Sequence, residues 1–459
     1  MPTKTWTGGG GNDLFSTGAN WGGSAPVAGD DLAFGGTTRL TPDNDLAADT
    51  SFASIAFNVA AGSFTISGNR ITLAGNITNN SGAVQTISLN MIFAATRTFA
   101  GSTPANTVVS GIISGSGGVT KGGDGTLTLS GLNTYTGVTT VNQGVLNFNT
   151  VKDVSGGSSA LGAPTTTANG TITLGAFQPE LCYTGTGSST DRIIQLGGNS
   201  DGRTFVVEHA GSGTLTFSTS PTHLNDCTKT VTFKASSSAT GEIAALVDAT
   251  TKSLTIDKSG DGTWRFTGAN TYTGTTTVSA GTLLVNGSTH ATSTVSVTGT
   301  LGGTGTVNGV ITVNNGGTVA PGNGGTNIGT LTTKNVTFSS TSTFSVDLNG
   351  TTPTFDKLSA PSNTVALGSA ANTLTVASIA NSANGKVYTI IAASTLSGTF
   401  NGKAEGSSFI VSGRTLQISY AGNNTTLTDI TSTGAGLIGD SALVGDSPLV
   451  GTGSAPLIN

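Results

Sequence analysis

Charge is what this sequence of 459 residues most lacks: 9% of it is Asp, Glu, Lys or Arg, where an ordinary domain carries about 25%. The 18 basic and 23 acidic residues leave a net charge of −5. They form no Lys/Arg cluster able to track a phosphate backbone, which excludes nucleic acid as a partner. Aromatics are scarce at 6%. Apolar runs are short, and none approaches the roughly 18 residues of a transmembrane helix. Two cysteines are too few for a disulfide framework. The three histidines, His209, His223 and His290, share no metal-ligand spacing. Phosphate loops, Gly-x-Ser-x-Gly elbows and Cys-x-x-Cys pairs are all missing. The expectation is therefore no cofactor, no metal centre and no catalytic residue.

Glycine, threonine, serine and asparagine are what the chain has instead. Its 69 glycines are about twice the usual share of roughly 7%. They stand between short runs of Val, Leu, Ile and Phe. β-Branched residues favour strands, and Gly and Asn supply tight bends. With 35% apolar residues the chain is not of disordered composition.

The decisive feature is an internal repeat. Lys121 to Phe148 reads KGGDGTLTLSGLNTYTGVTTVNQGVLNF, and Lys258 to Val285 reads KSGDGTWRFTGANTYTGTTTVSAGTLLV, without a gap. Each copy reads as strand, Asn-Thr-Tyr-Thr-Gly bend, strand, Gly bend, strand. The bend residues Asn133, Tyr135 and Gly137 recur as Asn270, Tyr272 and Gly274. A unit this small cannot bury its own apolar face, but stacked neighbours can, as a solenoid. The prediction is an all-β, elongated, right-handed parallel β-helix. At roughly 20 to 25 residues per rung and ~4.8 Å between strands it would be ~90–110 Å long.

The chain divides into six stretches. Residues 1–100 form an N-terminal cap and the first rungs, and 101–150 carry the first repeat copy. Residues 151–252 interrupt the copies, as rungs with longer loops or a lateral lobe. The second copy lies in 253–330, C-terminal rungs or a cap in 331–432, and a flexible apolar-repeat tail in 433–459. In that tail Leu443-Val444 and Leu449-Val450 recur six residues apart, and Leu457 and Ile458 end a looser copy. Such paired apolar residues could add as a strand to a neighbouring subunit and build a head-to-tail filament.

Taken together, the repeat core, the stretch from Gly302 to Asn323 (GGTGTVNG to GGTVAPGN) and the N-terminal WTGGGGNDLFSTGANW from Trp6 to Trp21 resemble bacterial autotransporter passengers built from the passenger-associated transport repeat. FDKL (Phe355–Leu358) and the later YTIIAAS, GTFNG and LQISYAG resemble the end of such passengers. The resemblance implies a parallel β-helix displayed on the cell surface or outside the cell. Its roles would be adhesion, aggregation or biofilm matrix, with itself or with surface glycans and proteins as partners and no family catalytic residue. Met1 to Trp6 shows no secretory leader and no membrane-barrel segment is recognisable. The expectation is thus an isolated passenger, or a relative exported by other machinery.

Four features invite sharper readings. Cys182 and Cys227, 45 positions apart, are a candidate disulfide under oxidising export; otherwise they are two small buried apolar residues. Gly8 to Phe15 (GGGGNDLF) fits one copy of a calcium β-roll motif, pointing to a calcium-dependent surface-layer element; the alternative is a Gly-rich bend with Trp6, Phe15 and Trp21 covering the first rung. Asp191, Asp201, Glu208, Asp226 and Glu242, with Arg192 and Arg203, are the carboxylates that a polysaccharide lyase or hydrolase would need, although their spacing shows no shared face. Tyr135 and Tyr272 suit either sugar stacking or an internal aromatic ladder.

Overall fold

The computed structural model describes residues 2–101, 105–324, 327–351, 354–368 and 372–432. Strands dominate, and the strand pairing between Thr3 and Ala393 is parallel apart from the short antiparallel pair of Leu348–Asn349 with Thr354–Phe355 and two isolated antiparallel bridges. Among the described residues, one sheet of 29 strands runs the length of the molecule. A four-stranded sheet flanks its first part and a ten-stranded sheet its second. The chain is an elongated β-solenoid.

Alternation dictates which way each strand faces. In Thr126–Leu129, Leu127 and Leu129 are buried and the threonines half-exposed; in Thr263–Phe266, Trp264 and Phe266 are buried. Successive side chains point to opposite faces, so a shift of one residue would turn the core outward. Parallel stacking lines up equivalent positions. Leu32, Ile55, Ile77 and Phe99 form one inward column, and Leu283, Leu301, Val319 and Phe344 another. The core is a single apolar thread from Trp6 to Leu427.

Rung length varies along the chain. Val145 faces Glu180 across a rung of 35 residues. Rungs of 26 follow, from Glu180 to Val206 to Thr232, and 18 residues separate Thr282 from Thr300 and Thr300 from Thr318. The longest rung contains the loop 151–171, closed by a single helical turn, Thr167–Gly170, with Thr166 as its cap. Residues 172–243 are rungs in register with the first repeat copy.

A solenoid must cover its ends. At the N-terminal end Trp21 packs edge to face on Trp6, Phe15 and Phe34, and Trp6 lies tilted against Phe34 at 6.5 Å. The Gly8–Phe15 segment is a bend there. Asn20 donates to the carbonyls of Asn12 and Leu14 and accepts from the Gly10 N–H, and Asp13 is bound to Arg39 and Thr41. At the other end the pairing turns antiparallel: Asn424–Asp429 lies between Val387–Ser397 and Arg414–Ser419, the latter in a hairpin with Ser408–Val411.

The disulfide weighed above is not formed; both thiols are free. Cys182 stands beside Glu208, which stands beside Lys234. Cys227 lies seven residues before Lys234 along its strand direction, roughly 20 Å away at strand rise, where a bridge needs Cα atoms within about 7 Å. The tail residues Leu443, Val444, Leu449, Val450, Leu457 and Ile458 lie outside the described residues.

Candidate functional site

The two repeat copies are built alike around buried polar groups. Asn133 Oδ1 accepts the Ile113 N–H at 2.7 Å while its Nδ2 donates to the Ala160 carbonyl at 2.7 Å. Asn270 accepts the Leu246 N–H at 2.8 Å and donates to the Ser288 carbonyl at 2.8 Å. Each amide thus ties the rung below to the rung above. Tyr135 and Tyr272 are fully buried, their hydroxyls bonded to Thr139 and Thr276 at 2.8 and 2.7 Å. Such tyrosines offer no face to a sugar. A Cβ on Gly137 would sit 2.5 Å from the Gly117 carbonyl carbon, and one on Gly274 2.2 Å from the Leu254 oxygen. Only glycine lets those bends approach the rung beneath.

Lys121 and Lys258 occupy inward positions in otherwise apolar columns. Each ammonium is caged by backbone carbonyls: Gly122, Gly123 and Gln143 for the first, Ser259, Gly260 and Ala280 for the second. Burial pulls both pKa values down to about 8; the carbonyl dipoles favour the charged form.

The interrupting rungs differ, because their outer face carries chemistry. Cys182, Glu208 and Lys234 stand in one column on successive rungs, and Glu180 lies two residues upstream of Cys182. Glu180, Cys182 and Glu208 bring ligand atoms within 4.8 Å of one another. Lys234 reaches Glu180 at 3.5 Å. Glu208 is pushed up to about 7, first by the hydrogen bond it shares with Glu180, then by burial and the Glu180 charge. Burial and the two carboxylates push the Cys182 thiol up to about 12. A thiol that holds its proton is a poor metal ligand, and Lys234 already supplies a positive charge. The group is a proton-sharing ion cluster on the shaft surface.

Beside it Phe177 protrudes, 61% exposed. The strand Ile172–Tyr183 is irregular there: its register against the rung below slips on both sides of Phe177, and Gln178 has a positive φ of 51°. The Arg203 guanidinium carbon lies 5.9 Å from the ring centroid, and its Nε donates to Ser200 at 2.8 Å.

Most of the sequence-derived carboxylates cap turns. Asp191 accepts from the Val154 N–H, Asp201 from Thr228, and Asp226 from Thr251. Glu242 pairs with Arg265. Arg192 is buried, donating to the carbonyls of Gly170 and Leu161 at 2.6 Å each. His209, His223 and His290 bond to Gly213, Val247 and Thr292 respectively. Of that set, Asp201 and Asp226 come together, both interacting with Lys252. Glu180, Lys234 and Phe177 escaped sequence reasoning. The signal for the first two was a spacing of one 26-residue rung, from Cys182 to Glu208 to Lys234, with Glu180 two places before Cys182.

Comparison with known proteins agrees with this architecture. The family model described as the passenger-associated-transport-repeat matches residues 119–148 and 256–285, the segments containing the two caged lysines. A curated relative, the adhesin BmaC autotransporter of Brucella suis biovar 1 (strain 1330), is 31% identical over 178 residues, which is 37% of this chain and 5% of the relative. The chain thus spans about 5% of the length of the relative it matches. The chain carries two matches to the passenger-associated-transport-repeat and is similar over part of its length to an autotransporter adhesin, and these likenesses point to an extracellular or cell-surface location.

Proposed function

We propose that this chain is a non-enzymatic adhesive segment of a surface passenger, and that its inserted rungs present the contact surface. The observation that carries the reading is Phe177 with Arg203, an exposed aromatic and a cation held on strands beside the Glu180–Glu208–Lys234 cluster. Rigid aromatic and arginine anchors are the residues that dominate interface energetics. The repeat copies support this division of labour, since their distinctive side chains are turned inward. The adhesin relative lends its class, not its target.

A polysaccharide-degrading enzyme is less well supported. Glu180 and Glu208 share a hydrogen bond, which leaves no room for a glycosidic oxygen and a water between them. A calcium-dependent surface element has less support still, because Asp13 is engaged by Arg39 and Thr41. Self-assembly is a separate proposal, to be tested by deleting 433–459 and looking for loss of filaments by electron microscopy.

The test is attachment of purified protein to host-cell and matrix surfaces. Phe177→Ala combined with Arg203→Ala should weaken attachment about tenfold or more, ~1.4 kcal/mol, with unchanged melting. Attachment equal to wild type would refute the assigned surface. Polysaccharide turnover abolished by Glu208→Gln would refute the non-enzymatic reading.

A further inference from the structure

A threonine column runs along the ten-stranded sheet. Thr214, Thr240, Thr263, Thr282, Thr300, Thr318, Thr343 and Thr373 stand on eight successive rungs, each paired with the next. All eight side chains are half-exposed or exposed, on the outward side of their strands. Among the described residues, none of these hydroxyls makes a side-chain hydrogen bond within the protein. β-Branched residues suit strands, but that preference is met equally by Val or Ile. A row of hydroxyls at strand spacing is a repeating donor–acceptor surface, ~4.8 Å from one group to the next.

Part of this row lines a groove of about 210 Å³, from Thr240 to Thr300. Leu284 and Ala320 line it beside the hydroxyls, and the turn at Asn323-Gly324 forms its rim. Gly302, which neighbours Leu284 and Ala320 in the same column, keeps the floor low, since a Cβ there would meet the Ala320 oxygen at 2.3 Å. Arg265 also lines the groove, and Glu242 beside it neutralises its charge. Two polar atoms of the lining, Arg265 Nε and Asn323 Oδ1, have no partner among the described residues. One is a donor and the other an acceptor, and native proteins rarely leave such groups unpaired.

We propose that this groove binds a linear, neutral saccharide lying along the solenoid axis, one sugar ring to a rung. The chemistry selects that class. Hydroxyls supply both donors and acceptors in a repeating row, Leu284 and Ala320 offer an apolar strip for the C–H face of a ring, and the lining carries no net charge to favour an anionic ligand. Among the described residues no aromatic lines the groove, so each ring is held weakly and affinity grows with chain length and with the number of passengers on one surface. The proposal rests on the adhesive reading and adds a ligand class to it, on a different face from Phe177.

The experiment measures binding of cellotetraose and chitotetraose to the whole chain by saturation-transfer NMR, with tetragalacturonate as the charged comparison. At least one neutral tetramer should bind, more tightly than its dimer and than the uronate. Thr282→Lys, which fills the groove from a half-exposed strand position, should weaken binding at least tenfold, and Thr282→Ser should preserve it within about twofold. Both variants should melt like wild type. Failure of both neutral tetramers to bind, preference for the uronate, or binding unchanged in Thr282→Lys would overturn the proposal. Attachment of wild-type and Thr282→Lys protein to cells is scored in parallel. Attachment without saccharide binding removes the groove and leaves the adhesive reading. Saccharide binding without attachment does the reverse.

Discussion

The twin lysines put the largest electrostatic demand on single residues in this fold. An ammonium removed from water is costly unless it is hydrogen-bonded, and Lys121 and Lys258 are 3% and 0% exposed. Three carbonyls per cage meet that demand, and the lysine in turn satisfies carbonyls at the bend that begins each repeat. Replacing either lysine with methionine keeps the volume but orphans those oxygens. Lys121→Met and Lys258→Met should each cost about 1–3 kcal/mol in denaturant melts. The pH dependence has a definite sign. An unfolded lysine keeps its proton to about 10.5, the caged one to about 8, so the unfolded chain binds more protons in between and stability rises with pH over that window. Wild type should gain stability from pH 8 to pH 10, and the double methionine variant should gain much less. Equal slopes in the two proteins would show that the cages do not titrate.

Each rung is a set of short strands joined by bends, and the bends carry the specificity. Gly137→Ala or Gly274→Ala would drive a Cβ into backbone 2.2–2.5 Å away. The rung below cannot yield without breaking its own ladder, so a loss of about 1–3 kcal/mol is expected, measurable as a lowered melting midpoint; an unchanged midpoint would mean that the bend relaxes freely. At this scale the sequence was most readable. Alternation and the repeated Asn-Thr-Tyr-Thr-Gly bend placed strands and turns because a buried face enforces period two. The role of Lys121 was also open to reading: in Val119-Thr120-Lys121 and Ile256-Asp257-Lys258 the lysine falls on the inward phase. Phe177 was not readable, because a register slip turns it outward and no local pattern announces a slip. The threonine column needs rung lengths that vary from 18 to 30 residues between neighbours, so no fixed spacing in the sequence reveals it.

Across the whole molecule, low charge and few aromatics follow from the architecture. A solenoid buries a narrow apolar thread and covers the rest with hydroxyl and amide groups on repeating rungs, so it needs few ions for solubility and few large side chains for its core. Aromatics concentrate at the N-terminal end, where Trp6, Phe15 and Trp21 close the thread, and an antiparallel layer closes the other end. Between the ends the shaft's outer face stands out at the rungs after Val145, which open with the 35-residue rung and carry Phe177, Arg203 and the carboxyl cluster outside. The central claim is that these rungs touch the target. Hydroxyl-radical footprinting of the protein, free and attached to cells, tests it most directly. The account predicts that Phe177 loses most of its labelling on attachment while the distant exposed Ile410 keeps its own. Phe177 labelled as strongly in the attached protein as in the free one would contradict it.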